Sequence, residues 1–574
     1  MRYLALCCDY DGTLAHHGRL DAPTIAALER FKKSGRRLVM VTGRELDELK
    51  SVCSRLDLFD RVVAENGALL YRPGTREELR LGERPPDAFV AALKAKNVER
   101  ISVGRVIVAT WEPYENIVLE TIREMGLELQ VIFNKGAVMV LPAGVNKASG
   151  LRVALDELNL SEHNAVGIGD AENDHAFLSI CECAVAVANA LPSLKERADI
   201  VTRGDHGAGV AELIDEILAD DLAHREAALI RHQVVLGKTE QGASVRLSPY
   251  GINALVVGTS GGGKSSVATG LIERLRANGY SYCVIDPEGD YDALEATLVL
   301  GSPERAPTLD ECVQLISKPQ TNAVINLLDV KLEDRPQFYL SLFARIQDVR
   351  ALTGRPHVLI VDEAHHVLPA DWQPAAVSIP DRLEGVVLVS VTPRLVAPSI
   401  LRALDTIIVL GNEPQEMLDE FAAANERSAP RTPQAKIAPG SALLWNKSTQ
   451  QPPVLVQLEP TKTERRRHLR KYAEGELPVE RSFFFRGPEN KLKLRAHNLI
   501  LFMELADGVD EDTWEFHLRR GEYSRWIREA IKDPDLAEQI GEVEQRQNLG
   551  AAESRQEIRR LIEEKYTLSA TKTP

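Results

Sequence analysis

Apolar residues fall in short runs along most of the chain, and the stretches between carry them at helical spacing. In residues 1–216, runs at 37–41, 61–64, 165–168 and 184–187 alternate with helix-like stretches such as 22–34. A strand followed by a helix, repeated, predicts an α/β fold with a parallel sheet covered on both faces. Residues 213–232 read as helical, with 217–232 as a connector. A second α/β pattern spans 233–458, with strand candidates at 254–257, 282–285, 323–327, 357–361, 386–391 and 406–410. Beyond a charged stretch at 461–471, Leu, Trp, Phe and charged residues recur at helical spacing to about 566. Residues 459–574 therefore read as a charged linker and a small, mostly helical module, with Phe502, Trp514, Phe516 and Trp526 as its core.

Length and charge add limits to this pattern. The 574 residues suggest about three or four domains. The net charge of −15 argues against a dedicated non-specific nucleic-acid binder, because such binding rests on neutralising phosphates. No apolar run approaches the ~20 residues of a membrane span, so no membrane partner is expected. Seven cysteines without a CxxC pair suggest neither a zinc site nor a disulfide framework. Reduced thiols and the absence of a signal-peptide pattern at the start lead to the expectation of a cytoplasmic protein.

Two acids at a strand end open the chemistry. In "CCDYDGTLA", Asp9 and Asp11 follow the apolar run 3–6. A carboxylate there can attack phosphorus, and a second one two residues on can protonate the leaving oxygen and then deprotonate water. Both would repel a phosphate dianion, so a divalent cation and a lysine are needed; Mg²⁺ suits a few carboxylates with phosphate oxygens and water. "VMVTGR" supplies Thr42, "GVNKASGL" supplies Lys147, and "VGIGDAENDHAF" supplies Asp170, Asn173 and Asp174. In this order the motifs resemble those of the haloacid dehalogenase (HAD) phosphatase superfamily, and "AENGALLY" (64–71) resembles its Cof-type branch. The resemblance covers about 1–216 and implies a Rossmann-like parallel sheet with an inserted α/β cap at about 80–145. It implies Asp9 as nucleophile and Asp11 as acid/base, with Thr42 and Lys147 binding phosphate. It further implies a Mg²⁺ site of Asp9, the Asp11 backbone carbonyl and Asp170, helped by Asn173 and Asp174, and a small phosphorylated substrate. The cap chooses the substrate in such proteins, but Trp111, Glu112, Asn134 and Lys135 do not reveal it from sequence.

A second phosphate cradle lies at "VVGTSGGGKSS" (256–266). Gly258, Thr259, Ser260, Gly261, Gly262, Gly263, Lys264, Ser265 and Ser266 give P-loop spacing between a strand and a helix. Glycines turn backbone N–H groups inward around phosphates, Lys264 reaches the β/γ-phosphates of ATP, and Ser265 suits Mg²⁺. "HVLIVDEAHHVLP" (357–369) adds Asp362 for Mg²⁺ and Glu363 to polarise the attacking water. His365 and His366 lack a third metal ligand and read as packing residues. "CVIDPEGDY" (283–291) and "VVLGKTEQGASVRL" (234–247) resemble HerA/FtsK-type ATPases over about 233–458, implying a RecA-like domain and a homo-oligomeric ring, with a hexamer as one size. That family often has a Gln after the strand following the acid pair; here Thr392 is nearest. Arg345, Arg394 and Arg402 are arginine-finger candidates.

The chain thus reads as a fusion of a Cof-type HAD phosphatase, a HerA-like ATPase and a helical module, with Mg²⁺ and ATP at two separate sites. The alternative is a DNA-dependent translocase whose first domain processes DNA ends or nucleotides. The basic run 463–471 and His517 remain without an assigned ligand, the first read as a solvated segment and the second as a satisfied core histidine.

Overall fold

The computed structural model describes residues 2–226, 228–259, 262–292, 294–318, 321–372, 383–449, 451–461, 472, 477, 479–531, 533–546 and 549–566. By compactness the chain forms two units, residues 1–258 with 274–458, and residues 259–273 with 459–574. One break falls between Leu458 and Glu459, and the P-loop stretch 259–273 is grouped with the C-terminal residues.

The first unit holds two large sheets. One has eight strands, with Ala5–Cys8 between Arg37–Val41 and Ala165–Gly169, all three parallel. The central strands are buried on both faces, as a parallel sheet between helices requires. Inserted between its strands Glu77–Arg80 and Ala165–Gly169 is a four-stranded antiparallel cap sheet, Ser102–Val103, Val108–Trp111, Leu129–Asn134 and Ala137–Pro142, with helices Asp87–Ala95 and Glu115–Glu124. The other large sheet has eleven strands. In it Val386–Ser390 lies between the P-loop strand Asn253–Gly258 and the acid-pair strand Val358–Val361, all parallel.

The helix expected over 213–232 runs instead over His206–Asp220, stopped by Asp221 in the left-handed region (φ 58°). Val210, Leu213, Ile214 and Ile217 pack into the core of the first sheet, so this helix belongs to that layer rather than to a connector. Among the described residues of 221–232 there is a short 3₁₀ segment, Ala223–Arg225.

A buried carboxylate, Glu182, ties the two sheets of this unit together. It accepts from Arg2 (2.9 Å), from the Tyr280 hydroxyl (2.7 Å) and from His163 Nδ1 (2.8 Å). His163 Nε2 meets the carbonyl of Asn278 at 2.7 Å, just past the helix Lys264–Ala277. Both partners of the ring can only accept, so an imidazolium that donates at both nitrogens satisfies them. The ring also stacks on Tyr280, with centroids 3.7 Å apart. Nearby, Arg355 donates to the carbonyl and side-chain oxygens of Asn159.

The second unit has an aromatic core. The hairpin Phe483–Phe485 with Leu494–Ala496 packs with helices carrying Phe502, Trp514, Tyr523 and Trp526. Phe516 departs from the expectation: it is half-buried, with the Arg520 guanidinium over its ring. His517 is buried and satisfied, accepting from the Arg486 backbone N–H and facing Glu522. The basic run 463–471 lies outside the described residues. All seven cysteines are buried and free. No helix among the described residues is long and apolar enough to cross a membrane.

Burial pushes the Glu182 carboxyl up, but the His163 hydrogen bond and the charges of Arg2 and His163 outweigh it and hold it down to about 2. A depressed carboxylate contributes stability above its unfolded value and loses it as pH falls through the folded one. Glu182→Gln is therefore expected to cost about 3 kcal/mol at pH 7. The difference from wild type should shrink as pH drops from about 4.5 toward 2, read as unfolding midpoints across pH. A pH-independent difference would contradict this account.

Candidate functional site

Three adjacent parallel strands deliver the first cluster at their carboxyl ends, where α/β sheets bind ligands. Asp9 follows Ala5–Cys8, Thr42 follows Arg37–Val41, and Asp170 follows Ala165–Gly169. Asp9, Asp170 and Asp174 are buried, with carboxylate oxygens within 4.8 Å of one another. Lys147 enters at the first turn of the helix Lys147–Glu157, capped by Asn146 and Ser149. Its ammonium sits 2.6 Å from Asp9 Oδ1 and 2.6 Å from Asp174 Oδ1. A helix N-terminus disfavours a cation, so the two carboxylates hold it there. Gly67 makes the seat possible: a Cβ there would lie 1.9 Å from the Asn146 carbonyl oxygen. Asp174 also accepts from the backbone N–H groups of Asp170 (2.8 Å) and Ala171 (2.9 Å), fixing the turn.

Burial and the neighbouring Asp174 raise the proton affinity of Asp9, while Lys147 opposes them. Burial raises Asp170 in the same way, countered by Lys135. Lys147 itself is raised, because Asp174 and Asp9 together outweigh its burial.

Not every expected group points inward. The Asp11 side chain is turned to Arg44, whose Nη2 donates to Oδ1 at 2.8 Å; its backbone carbonyl faces the cluster instead. The Thr42 N–H is spent on the carbonyl of Val63 (2.8 Å), which leaves its hydroxyl. Asn173 donates to Asn66 at 3.0 Å, and its Oδ1 is buried without a partner among the described residues.

In the eleven-stranded sheet, Asp362 follows Val358–Val361 and is buried; its Oδ1 accepts the N–H of Glu363 (2.9 Å). Glu363 adopts φ 38°, a left-handed conformation that is strained for glutamate and kinks the chain at the strand end. Its carboxylate lies 3.5 Å from His365 Nδ1. Thr392 follows Val386–Ser390, and its hydroxyl is buried without a partner among the described residues. Arg345 pairs with Asp310 and Arg394 with Glu420, while Arg402 is exposed. Gly258 ends its strand against the carbonyl of Leu410, 2.7 Å from where a Cβ would stand.

In the second unit, Gly262 donates to the Thr259 carbonyl at 2.9 Å and Gly263 takes φ 93°. Lys264 opens the helix Lys264–Ala277, with its ammonium 3.5 Å from the Thr259 carbonyl and Ser265 and Ser266 in the first turn. Ser260 and Gly261 lie outside the described residues.

Comparison with known proteins agrees with the first cluster. Residues 6–105 and 94–214 match the haloacid dehalogenase-like hydrolase family. The phosphoglycolate phosphatase of Methanothermobacter thermautotrophicus is 31% identical over 216 residues, covering 37% of this chain and 96% of that protein. The chain belongs to the haloacid dehalogenase-like hydrolases. Phosphoglycolate phosphatase 2 of Saccharolobus solfataricus is 32% identical over 222 residues, covering 38% of this chain and 93% of that protein. A haloacid dehalogenase-like hydrolase from Bacteroides thetaiotaomicron covers 38% of this chain and 99% of its own, at 20% identity and a TM-score of 0.33. Residues 249–342 match the central domain of the helicase HerA, so the chain joins this hydrolase to a HerA-like domain.

In the hydrolase, the donor set fits a hard divalent cation. It is all oxygen, it holds three clustered carboxylates, and Asn173 brings a buried oxygen that lacks a donor. Two residues bear on this site in ways the motifs do not show. Arg44 clamps Asp11, and Lys135 of the cap reaches Asp170 at 2.9 Å. Arg44 was legible as the end of "VMVTGR"; Lys135 carried no local signal.

Lys147→Met removes the buried cation between Asp9 and Asp174 and is expected to cost about 3 kcal/mol in metal-free buffer. Added Mg²⁺ should restore part of the loss, read by thermal unfolding with and without the ion. A variant as stable as wild type without metal would refute the charge-balance account.

Proposed function

We propose that the hydrolase cleaves a small phosphomonoester through an aspartyl-phosphate at Asp9, and that the P-loop region hydrolyses ATP at a separate site. The observation that carries the first part is the Lys147 ammonium 2.6 Å from Asp9, beside two further carboxylates at the ends of adjacent strands. An Asp9 oxygen bonds to phosphorus as the ester P–O bond breaks, and Asp11 gives its proton to the leaving oxygen. Water then attacks phosphorus, Asp11 takes a proton back, and the Asp9 carboxylate is freed. Asp11 exchanges Arg44 for the leaving oxygen to do this. Lys147 and the Thr42 hydroxyl hold phosphate oxygens. Mg²⁺, held by Asp9, Asp170 and the Asp11 carbonyl with Asn173 and Asp174 behind, would offset the negative charge gathered here. The relatives' names suggest 2-phosphoglycolate as the first substrate to try.

In the second unit the P-loop residues Gly262 through Ser266 would hold the phosphates of ATP, with Lys264 on them and Ser265 on Mg²⁺; in the first unit Asp362 and Glu363 carry, by their motif, the roles of metal-holding acid and water-polarising base. A homo-oligomeric ring goes with this reading. The match to the HerA central domain favours a second possibility, that duplex DNA drives the ATPase.

Asp9→Asn should lower phosphatase turnover at least about 10³-fold and leave ATP hydrolysis intact, and Lys264→Ala should do the reverse. Chelating divalent cations should remove both activities. Joint loss of both activities in either variant would refute two independent sites. ATP turnover that rises with duplex DNA and falls with salt would establish the DNA reading.

A further inference from the structure

Lys135 stands at the tip of the cap hairpin between Leu129–Asn134 and Ala137–Pro142. It takes φ 48° and Gly136 takes φ 84°, the two positive values of a tight two-residue turn. The turn is held in place: Gly136 accepts the Glu112 N–H at 3.0 Å and lies beside Trp111. From this tip the Lys135 ammonium crosses to the hydrolase sheet. It lies 2.9 Å from Asp170 Oδ2 and 3.3 Å from the backbone carbonyl of Asp11, and the side chain is half exposed.

Those two oxygens are the ones assigned above to a divalent cation. An ammonium and a dication cannot share them, since like charges a few ångströms apart in a partly buried site repel strongly. The other cations of the site are engaged. Lys147 lies between Asp9 and Asp174, and Arg44 between Asp11 and Glu48. The partner of Lys135 is instead a group that the metal would take. When the metal binds, the ammonium is released at the mouth of the site while its hairpin stays anchored.

We infer that Lys135 is the specificity residue of the cap: displaced from Asp170 by the metal, it binds a carboxylate of the substrate close to the phosphate. The inference rests on the phosphatase reading. One ammonium matches one monoanion, which favours a carboxylate over a second phosphate dianion. The cap closes most favourably over a substrate that supplies this charge, and an uncharged ester leaves Lys135 competing with the metal.

The test uses the full-length protein and Lys135→Met, with 2-phosphoglycolate and p-nitrophenyl phosphate as paired substrates. A charge-assisted hydrogen bond predicts that the variant's preference for 2-phosphoglycolate, as a ratio of kcat/KM values, falls about 10- to 100-fold, mainly through KM. Lys135→Arg should recover part of it. Calorimetric titration with Mg²⁺ in the absence of substrate should show tighter binding to Lys135→Met than to wild type, because the competing cation is gone. An unchanged substrate ratio would overturn the carboxylate assignment, and unchanged or weaker Mg²⁺ binding would overturn the displacement. Failure of wild type to hydrolyse either ester would refute the phosphatase reading and with it the substrate assignment, while the calorimetry would still decide the displacement.

Discussion

The buried ammonium of Lys147 is the interaction on which the hydrolase site depends. Parallel strands end side by side, so the acids that follow them are forced together. Like charges about 4 Å apart near a protein surface cost roughly 4 kcal/mol per pair. A cation placed between Asp9 and Asp174 lets the strand ends stay packed before any substrate arrives. Its position at a helix start, against the dipole, makes sense only with those carboxylates present. Asp174 then serves two masters, holding the lysine and tying down the backbone of Asp170 and Ala171.

The same logic of one charge serving several partners joins the hydrolase sheet to the eleven-stranded sheet. Glu182 gathers Arg2, His163 and Tyr280 from three distant parts of the sequence. A buried carboxylate is costly unless it is fully engaged, and this one has three donors. The two large sheets therefore belong to one compact unit, although their strand orders are independent.

Both sets of strand-end motifs were legible in the sequence, because each packs its chemistry into a few consecutive residues after an apolar run. Asp9, Lys147 and Asp170, each named from its motif, lie in one cluster. What escaped was long-range pairing. Lys135 reaches the Asp11 carbonyl across 124 positions, and no local pattern marks a hairpin tip as part of a site. The expected acid/base, Asp11, faces Arg44, because a side chain's rotamer follows from its neighbours rather than from its motif. The helix read through 232 stops at Asp220, where Asp221 turns left-handed and accepts from Arg2 and Arg36. Apolar periodicity continued past that point because Leu222 and Leu229 are buried as loop residues.

The seven buried cysteines carry a practical consequence. The thiolate is the nucleophilic form, and burial pushes the thiols of Cys283 and Cys312 up to about 12. Buried thiols are poor targets for maleimides and iodoacetamide while the chain stays folded. A single cysteine introduced on the cap could carry a fluorophore or spin label against this quiet background, with the native thiols left in place. Cap opening and closing could then be followed by spectroscopy in an otherwise unaltered molecule.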